Sequence, residues 1–118
     1  MTSSKHLQLG AWGENIACRH LQKLGYILLY RNWRSKKLEI DIIAYHNGLI
    51  VIIEVKTRSN NNYGEPISSI SKNKEENLRS GALRFLESQE LEMELRFDVI
   101  SIVGNKDQHR LSHIEQAF

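Results

Sequence analysis

Apolar residues Leu9, Ile16, Ala17, Leu21 and Leu24 recur at helical spacing, which predicts a first helix from about His6 to Leu24 with Gly25 at its C-terminal cap. Gly10 and Gly13 share one face of it, where missing side chains would let the helix approach a sheet closely. Glu14 falls beside Leu21 at the edge of the apolar face and is a candidate inward-pointing carboxylate. Tyr26 to Tyr30 reads as a short strand, and Arg31, Arg34, Lys36 and Lys37, with Trp33 among them, as a basic connection.

Two Ile- and Val-rich runs follow, Leu38 to Tyr45 and Leu49 to Thr57, separated by the hairpin dipeptide Asn47-Gly48. A two-residue turn pairs His46 with Leu49, so Asp41 is expected opposite Glu54, and Glu39 opposite Lys56. Strand alternation then places Glu39, Asp41, Glu54 and Lys56 on one face, and Leu38, Ile40, Ile42, Val51, Ile53 and Val55 on the other. The stretch from Arg58 to Pro66 has loop composition and is expected to be mobile. Ser71 is placed to cap a second helix ending near Ser88, with Leu78, Ala82, Phe85 and Leu86 as its apolar stripe. Lys74 lies one turn earlier on that stripe, so its ammonium should point toward the sheet. Leu95 to Val103 reads as a strand, and Leu111 to Ile114 as a weaker one. The order α-β-β-β-α-β predicts an α/β fold, a mixed central sheet flanked by helices, in a single domain over residues 1–118.

Composition narrows the class. A chain of 118 residues, 41% hydrophobic and 25% charged with one Pro, supports one core and disfavours disorder. No apolar run approaches the ~18 residues of a membrane span, and residues 1–5 lead into no apolar segment, so a cytoplasmic protein without membrane contact is expected. Cys18 stands alone, which excludes an intramolecular disulfide or a thiolate zinc site and makes it a small core residue. Charge is distributed unevenly. Residues 1–37 hold seven Lys/Arg and one acid, whereas residues 38–118 hold nine and thirteen. A basic N-terminal third beside carboxylates suggests a polyanion partner with a cation between them.

Carboxylates directly opposed across a hairpin have Cβ atoms ~5 Å apart and repel by about 3 kcal/mol at an effective dielectric near 20. A shared divalent cation turns that repulsion into joint attraction, and hard oxygen ligands favour Mg²⁺ or Mn²⁺. An isolated Glu-x-Lys is ordinarily an ion pair at a sheet edge. Glu54-Val55-Lys56 becomes specific only through Asp41 across the hairpin. Trp12 and Trp33 are expected in the core, Asp98 in a structural pair, and the five His residues receive no role.

Asp41 followed by Glu54-Val55-Lys56 resembles the Asp…Glu-x-Lys core of the restriction-endonuclease-like nucleases. More narrowly, Gly13-Glu14, Arg31-Asn32, Glu39-Ile40-Asp41, Glu54-Val55-Lys56-Thr57-Arg58, Lys74 and Arg96-Phe97-Asp98-Val99 resemble the YraN-like family of small bacterial proteins over nearly the whole chain. The resemblance implies a nuclease fold similar to archaeal Holliday junction resolvases, with Asp41, Glu54 and the Val55 carbonyl as metal ligands. It also implies Lys56 as catalytic ammonium, Glu14 as an additional acid from the first helix and a symmetric homodimer. Leu38 departs from the Gly usual before Glu-Ile-Asp, but every acid is in place.

The expectation is therefore a Mg²⁺- or Mn²⁺-dependent endonuclease acting on DNA, branched DNA included. Arg31, Arg34, Lys36, Lys37, Arg58 and Lys74 are the candidate phosphate contacts. Two rivals are a catalytically silent nucleic-acid-binding module and a protein interaction domain of the same fold.

Overall fold

The computed structural model describes residues 2–60 and 69–118, and side chains from residue 8 onward. The elements are α1 (Thr2–Lys23), β1 (Ile27–Ser35), β2 (Leu38–His46), β3 (Leu49–Arg58), α2 (Lys72–Ser88), β4 (Glu94–Gly104) and β5 (His109–Ile114). They form a five-stranded sheet in the order β1-β2-β3-β4-β5. β3 and β4 are parallel with α2 as their crossover, and the other neighbours are antiparallel. Among the described residues no helix is long and apolar enough to cross a membrane. The expected loop over 61–66 lies outside the described residues.

Each helix covers one face of the sheet. Ala17, Cys18 and Leu21 of α1 pack on Ile42, Ala44, Val51, Ile53, Ile100 and Ile102. Leu78, Ala82 and Phe85 of α2 pack on Ile40, Ile43, Ile50, Ile52 and Phe97. Nearly all these side chains are fully buried, each removal of an Ile from water contributing about 1.5–3 kcal/mol. Both caps form where the sequence places them. Gly25, at φ +88°, turns the chain out of α1, and Ser71 Oγ accepts a hydrogen bond from the Lys74 N–H at 3.1 Å. Of the two α1 glycines only Gly13 is in close contact: a Cβ there would lie 2.0 Å from Thr57 Oγ1, whereas Gly10 faces open space.

Two expectations are corrected. The basic segment is not a connection, because Arg31 to Ser35 continue β1 and only Lys36 and Lys37 form the turn into β2. Exposed edge-strand positions tolerate Arg, which hid the strand from a reading based on hydrophobicity. Second, the alternation of β2 slips at Asp41, so that Ile42 faces α1 but Ile40 and Leu38 face α2, with Ile40 Cδ1 3.3 Å from the Cβ position of Gly81. Its neighbour β1 slips at the same level, where Asn32 adopts φ +52°; Arg31 and Asn32 turn toward α1 and Trp33 toward Phe85 of α2. The weaker strand read at Leu111 to Ile114 forms as β5, and the observed order is α-β-β-β-α-β-β.

Candidate active site

The β2–β3 ladder follows the register set by Asn47-Gly48 from His46↔Leu49 to Ile42↔Ile53, and there it stops. Asp41 and Glu54 are the next residues on each strand. They stand where the strands part, rather than as a paired rung on one face. Asp41 bridges the gap, its Oδ2 accepting the Val55 N–H at 2.8 Å. Asp41 opens into a cleft of about 270 Å³ lined by Leu9, Gly10, Glu14, Val55 and Thr57 on the α1 side. Glu54 opens into one of about 540 Å³ lined by Lys56, Ser69, Ile70, Ser71 and Lys74 at the start of α2. Glu39 takes no part: it pairs with Arg34 of β1 at 3.3 Å rather than with Lys56.

Burial, first, the charge of Glu54, second, and a hydrogen bond between the two carboxyls, third, push the Asp41 carboxyl from its ordinary 3.8 up to about 7, against the Val55 N–H and Lys74, which favour the ionised form. Glu54 is 9% exposed; its Oε2 lies 3.5 Å from Lys74 Nζ, and its Oε1 is buried with no hydrogen-bond donor among the described residues other than a protonated Asp41 carboxyl. Lys74 thus points at the sheet as its place on the helix requires. The Lys56 ammonium donates to the Ser69 carbonyl oxygen ahead of α2.

Glu14 points inward from α1, and its Oε1 accepts from Arg31 Nε at 3.1 Å and from Asn32 Nδ2 at 3.0 Å. Arg31 also donates to Asn15 at 2.9 Å, so its guanidinium is committed to α1 rather than extended as an unattached phosphate contact. Asn32 escaped the reading of residue types. Its signal was an Asn, the residue most tolerant of positive φ after Gly, inside the Arg31-Asn32 pair. Of the remaining basic candidates, Lys36 and Lys37 are exposed at the β1–β2 turn, and Arg58 ends β3.

Among the described residues no three His, Cys, Asp or Glu side chains gather into a cluster ready to hold a metal. The donors at the fork are two carboxylates and the Val55 carbonyl, a set suited to Mg²⁺ or Mn²⁺, which keep several waters. A buried Glu54 oxygen beside a carboxyl disfavoured in its ionised form is a donor set that a divalent cation would satisfy.

Asp98, expected in a structural pair, is fully buried and accepts from Arg96 Nε at 2.9 Å, Arg96 Nη2 at 2.7 Å and the Gln116 N–H at 3.1 Å, with His113 Nε2 at 2.8 Å. Burial opposes its ionisation, yet His113 and Arg96 hold its carboxyl below the usual range. Cys18 is buried, and burial pushes its thiol up, as suits a core residue.

The model of the uncharacterised protein family UPF0102 matches residues 13–102, which span Glu14, the strand fork and Asp98. The chain belongs to family UPF0102. It bears out the YraN-like resemblance. A UPF0102 protein of Flavobacterium psychrophilum is 37% identical over 115 residues, covering 98% of this chain and 97% of that protein. UPF0102 proteins of a Sulfurihydrogenibium species and of Rhodococcus opacus are 41% and 38% identical, over 94% and 96% of this chain and 94% and 98% of their own lengths.

Proposed function

We propose that this UPF0102 protein is a Mg²⁺- or Mn²⁺-dependent endonuclease that hydrolyses phosphodiester bonds in DNA, branched DNA among its substrates. The carrying observation is the meeting of the Asp41 and Glu54 carboxyls, within hydrogen-bonding reach of each other, at the point where β2 and β3 separate. The resemblance to the Asp…Glu-x-Lys nucleases and the basic N-terminal third support it.

Asp41, Glu54 and the Val55 carbonyl would hold the cation. Bound there, it would supply Lewis-acid polarisation of the scissile phosphate and a lowered pKa for water. The chain's own groups account for the rest. Lys74 offsets the charge of Glu54 from its Oε2 side. Lys56 shares the Glu54 cleft, where its ammonium can leave the Ser69 carbonyl to orient a water or to stabilise negative charge developing on phosphate oxygens. Glu14 forms the acidic wall of the Asp41 cleft and holds Arg31 and Asn32 beside it. Lys36 and Lys37 lie at the turn leading into β2 and would meet the phosphate backbone.

Incubating the purified protein with linear duplex, single-stranded and four-way-junction DNA in Mn²⁺ tests this. Metal-dependent product that EDTA abolishes is expected. A gel shift in EDTA without product in Mn²⁺ would mark a silent binding module, and neither shift nor product a protein interaction domain.

A further inference from the structure

A second cavity, of about 450 Å³, lies between α1 and the β4–β5 hairpin and shares no residue with the two clefts at the fork. Its wall carries two chemistries. Trp12, Ile16 and Leu111 supply aromatic and aliphatic surface, while Arg19 and Lys23 from α1 and Lys106 from the hairpin bring three cations. Among the described residues no Asp or Glu lines it. The volume is that of a small-molecule site. Cations without carboxylates select an anion, and the apolar wall selects a ring attached to it.

A part-buried hydrogen-bond chain ends at this cavity. Asp98, paired with Arg96, contacts His113 Nε2 at 2.8 Å, and His113 Nδ1 lies 3.0 Å from His20 Nε2. With His113 neutral, an ionised Asp98 places its hydrogen on Nε2. His113 Nδ1 is then an acceptor, which places the hydrogen of His20 on Nε2. His20 lines the cavity, and its remaining nitrogen, Nδ1, is left as an acceptor for a hydroxyl or amino donor. Core histidines satisfied by one another would serve packing alone; this pair ends in a cavity with three cations.

We propose that the cavity binds a nucleoside monophosphate, free or as the terminal nucleotide of a strand. The phosphate meets Arg19, Lys23 and Lys106; the base lies on the Trp12 wall; a sugar hydroxyl or base amino group donates to His20. The site is independent of the fork and of nuclease activity.

The test is a titration of ¹⁵N-labelled protein with AMP, adenosine and ribose 5-phosphate, followed by amide and indole shifts. AMP should move the Trp12 indole and the amides of 106–111. Adenosine and ribose 5-phosphate, each lacking one half of the ligand, should bind at least ~10-fold more weakly. Arg19→Gln and Lys106→Gln, both at exposed positions, should weaken AMP by at least ~10-fold with the dispersed spectrum of a folded chain, and Asp41→Asn should leave AMP binding intact. A 5′-phosphorylated tetranucleotide that binds more tightly than AMP identifies the strand end as the ligand, and one that binds equally or more weakly identifies the free nucleotide. No shift at the cavity up to about 10 mM AMP, or shifts insensitive to Arg19→Gln and Lys106→Gln, would overturn the assignment.

Discussion

The Asp41 carboxyl stands far above its ordinary range. It is pushed up to about 7 in the folded chain, so between the ordinary value of 3.8 and that point the folded state binds more protons than the unfolded state. Stability without metal should therefore fall as pH rises through that window. Asp41→Asn should stabilise the protein at pH 8 in EDTA by no more than about 4 kcal/mol, at ~1.4 kcal/mol per pH unit, seen as a higher thermal midpoint, and the gain should vanish toward pH 4. Calorimetry at the two pH values checks both parts. Lys56 is tested differently, because a transition-state role and a structural role harm the protein in different ways. Lys56→Ala should slow cleavage by roughly 100-fold or more with little change in DNA affinity or unfolding midpoint, and Lys56→Arg should not restore the rate. A loss of activity that tracks the unfolded fraction would make Lys56 structural. Asp41, Glu54 and Lys56 were legible because residue types and spacing carry them. The Asn32 partner of Glu14 was not, since a left-handed residue within a strand breaks the period-two pattern on which such a reading depends.

The hairpin register and both helix caps were legible for a local reason: Asn47-Gly48, Gly25 and Ser71 each determine geometry within a few residues. The fork was not legible, because nothing between Leu38 and Ile42 signals that the ladder ends; it follows from α1 and α2 each claiming one side of β2, Ile42 for one and Ile40 for the other. Seating of α1 against β3 depends on Gly13. A Cβ there would lie 2.0 Å from Thr57 Oγ1 and 2.9 Å from Thr57 Cβ, so Gly13→Ala must push the helix from the sheet. It should destabilise by about 1–3 kcal/mol, and adding Thr57→Ala should recover part of the loss in chemical denaturation. Equal stability of Gly13→Ala and wild type would show that the approach is looser than described. Because Gly13 adjoins Glu14, the same substitution should also reduce cleavage.

Across the whole molecule, the proposed hydrolysis needs basic residues where a polyanion would approach and carboxylates where a cation would sit. The net charge of +2 conceals such a separation, since the basic excess lies in residues 1–37 and the acids of the fork lie beyond. Two of the early cations, Lys36 and Lys37, project from the β1–β2 turn at the end of the sheet where β3 finishes. If both contact phosphates, replacing them by Ala should lower the slope of log affinity against log salt by about 2 and weaken binding to all DNA sequences alike. An unchanged slope would move the DNA path elsewhere. The central claim is that Asp41 and Glu54 hold a divalent cation for phosphodiester hydrolysis. Single-turnover cleavage of end-labelled DNA as a function of Mn²⁺ concentration, by wild type and Asp41→Asn, tests it most directly. Wild type should show a saturable, metal-dependent rate and Asp41→Asn a rate roughly 100-fold lower or more; equal rates for the two proteins, or product formed in EDTA, would contradict it.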